Sequence, residues 1–271
     1  MGLFSQRQVA RKDEITKETP EKRRFWLFFE IFFGQISKLV IMNFIYAVAM
    51  IPLFLGLFIC FELDFNSTSI LVFRDGGIDI IGLGLIVISL FVSFPATLGF
   101  TYVLRNIQRR EHAWLWHDFI KHTKLNYLKG VVNGLVTFAF YYIAIFAYGV
   151  YRSGLIGGGI MSYYLSLLVL LIMVLFAWMQ FYVNTMIVTF ELKLKDIYKN
   201  AFIFALGKLP TNLFVTIVCV IIIYISLLIP LITILVAFSI LFSLLGFITV
   251  FAVYPTIEAN MIDKQPISED E

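Results

Sequence analysis

The chain has 271 residues, 60% hydrophobic, 17% aromatic and 14% charged, with a mean hydropathy of +0.89 and a formal net charge of +3. A soluble domain carries about a quarter charged and about half apolar residues, so a water-soluble fold of this size has too little interior for this much apolar side chain. Two cysteines exclude a disulfide-stapled scaffold, and the small net charge argues against nucleic-acid binding.

The composition is that of an all-α integral membrane protein, and the charges show where its helices lie. Residues 1–24 are polar and mixed in charge, with no short apolar run and no small-residue cleavage site, and read as a disordered cytoplasmic tail. Uncharged stretches follow: 23 residues between Lys38 and Glu62, 25 between Asp79 and Arg105, and 22 between Lys129 and Arg152. Each matches one crossing, since about 20 apolar residues at about 1.5 Å span the hydrocarbon core. The 38 residues between Arg152 and Glu191 open with Ser153-Gly154 and Gly157-Gly158-Gly159, a loop signal, and leave one long crossing. The 49 residues between Lys208 and Glu258 must double back, and Pro230 is the expected turn. The predicted helices are 39–61, 79–105, 129–151, 160–190, 211–229 and 231–257, in a membrane domain 25–264 followed by an acidic tail 265–271.

Orientation follows from Lys and Arg. Nineteen of the 21 fall in the N-terminal segment, the second and fourth connections and the C-terminus; only Arg74 and Arg152 lie on the other side. The expectation is a multi-pass cell-membrane protein with both termini in the cytoplasm. This split also accounts for the net charge without an acidic partner.

Three helices end alike. The second carries Pro95, Thr97, Thr101 and Arg105; the fourth Asn184, Thr185, Thr189 and Lys193; the sixth Pro255, Thr256, Asn260 and Lys264. With Thr97, Thr185 and Thr256 aligned, a hydroxyl or amide recurs at +4 and a cation at +8, a spacing that stacks these groups near one helix face. The cation is expected to mark the cytoplasmic helix end. The odd helices also begin alike: an aromatic run from Phe25 precedes Lys38 and Asn43, Asp118-Phe119-Ile120 precedes Lys129 and Asn133, and Asp196-Ile197-Tyr198 precedes Lys208 and Asn212. The predicted architecture is six transmembrane helices in three hairpin repeats, each preceded by an interfacial amphipathic helix. Pro95 and Pro255 are expected to bend or end their helices.

Pro95-Ala96-Thr97, then Tyr102-Val103-Leu104-Arg105, then Asp118-Phe119-Ile120-Lys121 and Lys124-Leu125-Asn126-Tyr127-Leu128-Lys129-Gly130 form a pattern that resembles the bacterial YesL family. The opening segment Phe32 to Asn43 fits as well, and the resemblance extends over about Phe25 to Lys264. Phe94 stands where that family usually has Gly, and Ile120 and Thr123 replace aromatics. The resemblance implies a polytopic protein without an established activity. Genes of such proteins often lie beside ATP-driven carbohydrate importers and polysaccharide-degrading enzymes, which implies an accessory role in sugar uptake.

Catalytic patterns are absent: there is no P-loop, no Gly-x-Ser-x-Gly and no HExxH, so neither an enzyme nor a cofactor is predicted. His112, His117 and His122 lie five apart, about 140° from one another around a helix, a poor arrangement for one metal. Cys60 and Cys219 read as buried thiols, and the Asn66-Ser67-Thr68 sequon as fortuitous. Glu258, just past the predicted end of the sixth helix, reads as a cation or proton site, a partner for Arg105 or Lys193, or an interfacial carboxylate in contact with water. The uncharged polar groups of the repeats form either a shared pocket or ordinary interhelical hydrogen bonds, worth about 0.6 kcal/mol each. The lipid bilayer is the expected surrounding. Three functions fit. An accessory component would bind a carbohydrate importer complex through Asp118, Phe119, Lys121, Lys124, Asn126 and Lys129. A transporter or channel for a small neutral solute would use the threefold Thr motif. A lipid-binding protein or membrane enzyme has the least support.

Overall fold

A computed structural model describes residues 23–63, 71–73, 80–153, 159–227 and 236–262. The expected N-terminal tail up to residue 22, the sequon, Arg74, Gly154 to Gly158, the Pro230 turn and the tail with Lys264 lie outside the described residues. The chain divides into two compact units, residues 1–36 and 37–271.

In the first unit, α1 (Arg24–Gly34) is almost wholly aromatic and aliphatic. Rings four residues apart meet along its sides: Phe25 with Phe29 at 5.0 Å, Phe28 with Phe32 at 5.8 Å and Phe29 with Phe33 at 6.1 Å between centroids. Phe25, Trp26 and Phe33 are exposed.

The second unit follows the charge-free stretches. Its helices are α2 (Ile36–Cys60), α3 (Ile80–Gln108), α4 (Leu115–Leu125), α5 (Tyr127–Arg152), α6 (Ile160–Ile187), α7 (Leu194–Gly207), α8 (Leu209–Leu227) and α9 (Phe242–Ile257). Five-residue π-helical turns flank α9, at Ala237–Leu241 and Glu258–Ile262. Among the described residues, six helices are long and apolar enough to cross a membrane: α2, α3, α5, α6, the Leu209–Ser226 part of α8, and Ser239–Met261. This is the architecture of a multi-pass membrane protein. Exposed side chains such as Phe58, Phe146 and Phe214 are those that hydrocarbon, not water, would solvate. A short helix lies directly before each of α2, α5 and α8: α1, α4 and α7.

Three details refine the predicted elements. Beside the helices there is one short strand pair: Phe61–Leu63 (β1) and Leu71–Phe73 (β2) pair antiparallel, with Phe61 opposite Phe73, in the connection after α2. Pro95 and Pro255 do not end their helices; both lie inside α3 and α9. Arg105 lies in the last turn of α3, which ends at Gln108, so the cation does mark that helix end. Its side chain is buried in protein.

The core of this unit is where α3, α6, α7 and α9 meet. Leu98, Tyr182, Val183, Met186, Ile187, Ile197, Ala201, Val253 and Ile257 form one buried cluster there. Small residues bring α5 and α4 against α3: a Cβ on Gly130 would sit 2.7 Å from Pro95 Cα, one on Gly134 would sit 2.6 Å from Phe94 Cγ, and one on Gly99 would collide with Thr123 and the Phe119 carbonyl.

Candidate functional site

Between α2, α3, α6, α8 and α9 lies a cavity of about 400 Å³. Helical spacing builds its walls. On α3, Thr97, Thr101, Phe100 and Leu104 face it; on α6, Gln180, Asn184, Phe181 and Thr185; on α9, Phe242, Leu245, Gly246, Thr249 and Val250. Tyr46 closes it from α2 and Cys219 from α8. None of these lining residues carries a formal charge. Gly246 lets α9 approach closely, since a Cβ there would lie 2.7 Å from Leu104 Cδ1 and 2.9 Å from Phe100 Cε1.

Each hydroxyl on the wall already spends its proton within the protein. Thr97 Oγ1 donates to the Ser93 carbonyl (2.9 Å), Thr101 Oγ1 to the Thr97 carbonyl (2.7 Å), Thr185 Oγ1 to the Phe181 carbonyl (3.0 Å) and Thr249 Oγ1 to the Leu245 carbonyl (2.8 Å). This is the back-bonding that Thr adopts in helices away from water. Tyr46 and Thr97 share a bond of 2.9 Å; with the Thr97 proton committed, the phenol is the donor. Tyr46 also stacks on Phe100, with centroids 4.0 Å apart.

An amide relay joins the cavity to α5 and α7. Asn133 Nδ2 donates to Asn184 Oδ1 (3.1 Å), the Tyr198 hydroxyl donates to Asn133 Oδ1, and Gln180 Nε2 reaches the Tyr198 oxygen at 3.5 Å. Burial pushes the Tyr198 phenol above its ordinary pKa, keeping it protonated as a donor.

The asparagines that open the odd spans are all buried bolts between helices. Asn43 Oδ1 accepts the Ser243 backbone N–H (3.0 Å), and Ser243 Oγ donates to the Leu39 carbonyl (2.7 Å), tying α2 to the start of α9. The π-turn just before Ser243 takes it out of the regular i to i−4 ladder. Asn212 accepts from the Tyr182 hydroxyl (2.9 Å) and donates to the Ala205 carbonyl (3.0 Å), linking α8 to α6 and α7.

Among the residues singled out from the sequence, Thr97, Thr101, Asn184 and Thr185 line the cavity. Arg105 and Thr189 meet each other instead. The Arg105 guanidinium donates to the Val188 carbonyl (2.9 Å), to Thr189 Oγ1 (3.1 Å) and to Asn106 Oδ1 (3.1 Å), and lies 4.6 Å from the Tyr102 ring centre. It therefore caps the C-terminal end of α6, where carbonyls lack partners. Pro95 packs beneath Gly130. Pro255, Thr256, Glu258 and Asn260 are not on the cavity wall; Asn260 Nδ2 donates to the Thr256 carbonyl (2.8 Å), and Glu258 opens the final π-turn. Lys193 stands just before α7, its carbonyl taking the Asp196 and Ile197 N–H groups.

On α4, Asp118 Oδ2 accepts the Trp114 N–H (2.8 Å) and Phe119 is buried, whereas Lys121 and Lys124 are exposed. Asn126 Nδ2 bonds the His122 carbonyl (3.2 Å) where α4 ends, and Lys129 lies in the first turn of α5. His122 stacks on Tyr102, and His112 meets Trp114 edge-on. Burial, with the charges of Lys121 and Arg105, holds His122 below its ordinary pKa against the opposing effect of Asp118. Among the described residues no three His, Cys, Asp or Glu come together as a metal site.

Residues 23–148 match the model of a family described as a protein of unknown function, DUF624. No curated protein and no solved structure matches the chain. The matched segment supplies Tyr46, Thr97, Phe100, Thr101 and Leu104 to the cavity, while the walls from α6, α8 and α9 lie beyond it.

Sequence reasoning missed Tyr46, Phe100, Cys219, Phe242, Gly246 and Thr249 as wall residues. Aromatic and small residues are common throughout these helices, so no local pattern separates the cavity face from the lipid face. Thr249, four residues C-terminal to Leu245 in an apolar helix, carried the one usable signal: a hydroxyl inside a span that faces protein.

Proposed function

We propose that this is a YesL-like membrane protein that binds a small neutral solute in the cavity between α2, α3, α6, α8 and α9 and conducts it across the bilayer. What carries the reading is the wall itself: threonines, two amides and aromatic rings around about 400 Å³, with no charged lining residue. Ligand pockets are commonly mostly apolar with a few convergent polar groups, and this volume falls in their usual range. An ion would meet no compensating charge there.

In this reading both termini are cytoplasmic and the membrane is the cell membrane, as the 19 Lys and Arg on one side favour. The three hairpins are repeats, and α1, α4 and α7 lie in the interface. Exposed Trp26, Trp114 and Trp116 beside Arg and Lys suit the headgroup layer.

Purified protein reconstituted in liposomes tests the function through the rate at which glycerol re-swells osmotically shrunken vesicles. The wild-type chain is expected to speed re-swelling. Thr97→Val with Thr185→Val removes two wall hydroxyls and should slow it toward protein-free vesicles, whereas Thr256→Val, off the wall, should leave it unchanged. Equal rates with and without protein would remove the conducting role. The resemblance to YesL proteins supports a second reading, an accessory component for carbohydrate uptake with Lys121 and Lys124 on its docking face; co-purification of importer subunits from native membranes is its test.

A further inference from the structure

We propose that the cavity selects its occupant by hydrogen-bond donation: it takes a small neutral molecule that offers O–H or N–H groups to a wall of acceptor oxygens. This rests on the reading of the cavity as a solute site and adds the chemical class of the solute.

A hydroxyl has one proton and two lone pairs. At Thr97, Thr101, Thr185 and Thr249 the proton goes to the carbonyl four residues back, at 2.7 to 3.0 Å, and the Tyr46 proton goes to Thr97. What these side chains still offer is therefore acceptance. A solute that donates pairs with the lone pairs still open on these oxygens, beside the one Thr97 already gives to Tyr46. A solute that only accepts gains a bond only where a threonine first gives up the one it has. Threonine is also stiff at χ1, which raises the barrier to re-aiming the hydroxyl. Donation from the wall falls to its two amides. Asn184 Oδ1 is taken by Asn133, which leaves its N–H2 group to donate, and Gln180 Nε2 reaches Tyr198 at 3.5 Å.

The complementary molecule thus carries several donors on one side and an acceptor on the other, as a polyhydric alcohol or a primary amide does. Its carbon skeleton meets the stacked pair Tyr46 and Phe100. Ethers and fully alkylated amides of the same size have the acceptor without the donors and are poor occupants. Ions are excluded by the lack of lining charge.

Two matched pairs test this. Glycerol and 1,2,3-trimethoxypropane share three oxygens, but only glycerol has O–H groups. Acetamide and N,N-dimethylacetamide share a carbonyl, but only acetamide has N–H groups. Binding is read by saturation-transfer NMR on the full chain in nanodiscs, and the cavity-dependent signal is the part lost in Thr249→Phe, a cavity-filling variant. Thr185→Phe is a second filler should the first fail to give a monodisperse sample. Glycerol and acetamide are expected to bind, with each methylated partner weaker by roughly threefold to tenfold per donor removed, the worth of an ordinary hydrogen bond. Thr185→Val with Thr249→Val should shrink that preference toward parity. Methylated partners binding as well as the donors would overturn the donor inference and leave the solute cavity standing. No cavity-dependent signal from any of the four probes would overturn the solute site, and this inference with it.

Discussion

Arg105 shows how far a single residue can be read from sequence. Its place eight residues after Thr97 was legible, and so was the bias of cations toward one membrane side. Its partners were not, because Val188 and Thr189 are 83 and 84 residues away. A buried guanidinium that caps a neighbouring helix has the same local sequence as one that snorkels into water. His122 is similar: the spacing of the three histidines argued against a metal, but only the fold reveals its stack on Tyr102. Its pKa is held down mainly by burial and then by Lys121 and Arg105. The unfolded chain therefore binds the proton first as pH falls. This contribution to stability is intact above the usual histidine range and is lost as pH drops from about 6.5 toward the lower folded value. Thermal unfolding in detergent between pH 7.5 and 5 should show this slope, and His122→Phe, which keeps a ring on Tyr102 but cannot titrate, should reduce it. An unchanged slope in His122→Phe would assign the pH dependence to other groups.

At the scale of elements, contact between α5 and α3 depends on glycines that admit a neighbour's side chain. In lipid there is little hydrophobic drive to press helices together, so close packing and interhelical hydrogen bonds carry the association. Gly134 receives the Phe94 ring, and a methyl there would lie 2.6 Å from Phe94 Cγ. Gly134→Ala is expected to cost about 1 to 3 kcal/mol, the usual penalty for overpacking. Phe94→Ala leaves a gap and should destabilise alone, yet combined with Gly134→Ala the two costs should fail to add. A double-mutant cycle by chemical unfolding in micelles measures this; strict additivity would mean the two residues do not share the contact. The existence and order of the long helices were legible in the charge-free runs, because lipid tolerates few charges over about 20 residues. The three-residue strands Phe61–Leu63 and Leu71–Phe73 and the π-turns around α9 are too short to leave a periodic signal.

For the whole molecule, the sequence posed a question it could not answer: whether the recurring threonine motifs meet in a cavity or in a packed seam. The fold divides them. Thr97, Thr101, Asn184 and Thr185 line the cavity, while Thr256 and Asn260 lie off its wall. Local spacing was identical in all three, and what differs is which neighbour each helix face meets. The solute reading needs that cavity to be reachable by neutral molecules in the assembled membrane protein. Cys219 on its wall offers a direct probe, because Cys60 is the only other cysteine in the chain. In a Cys60→Ser background, methyl methanethiosulfonate, small and uncharged, should modify Cys219 in intact membranes, and Thr249→Phe should slow the reaction. A Cys219 that reacts only after denaturation, or at the same rate with the cavity filled, would contradict the account.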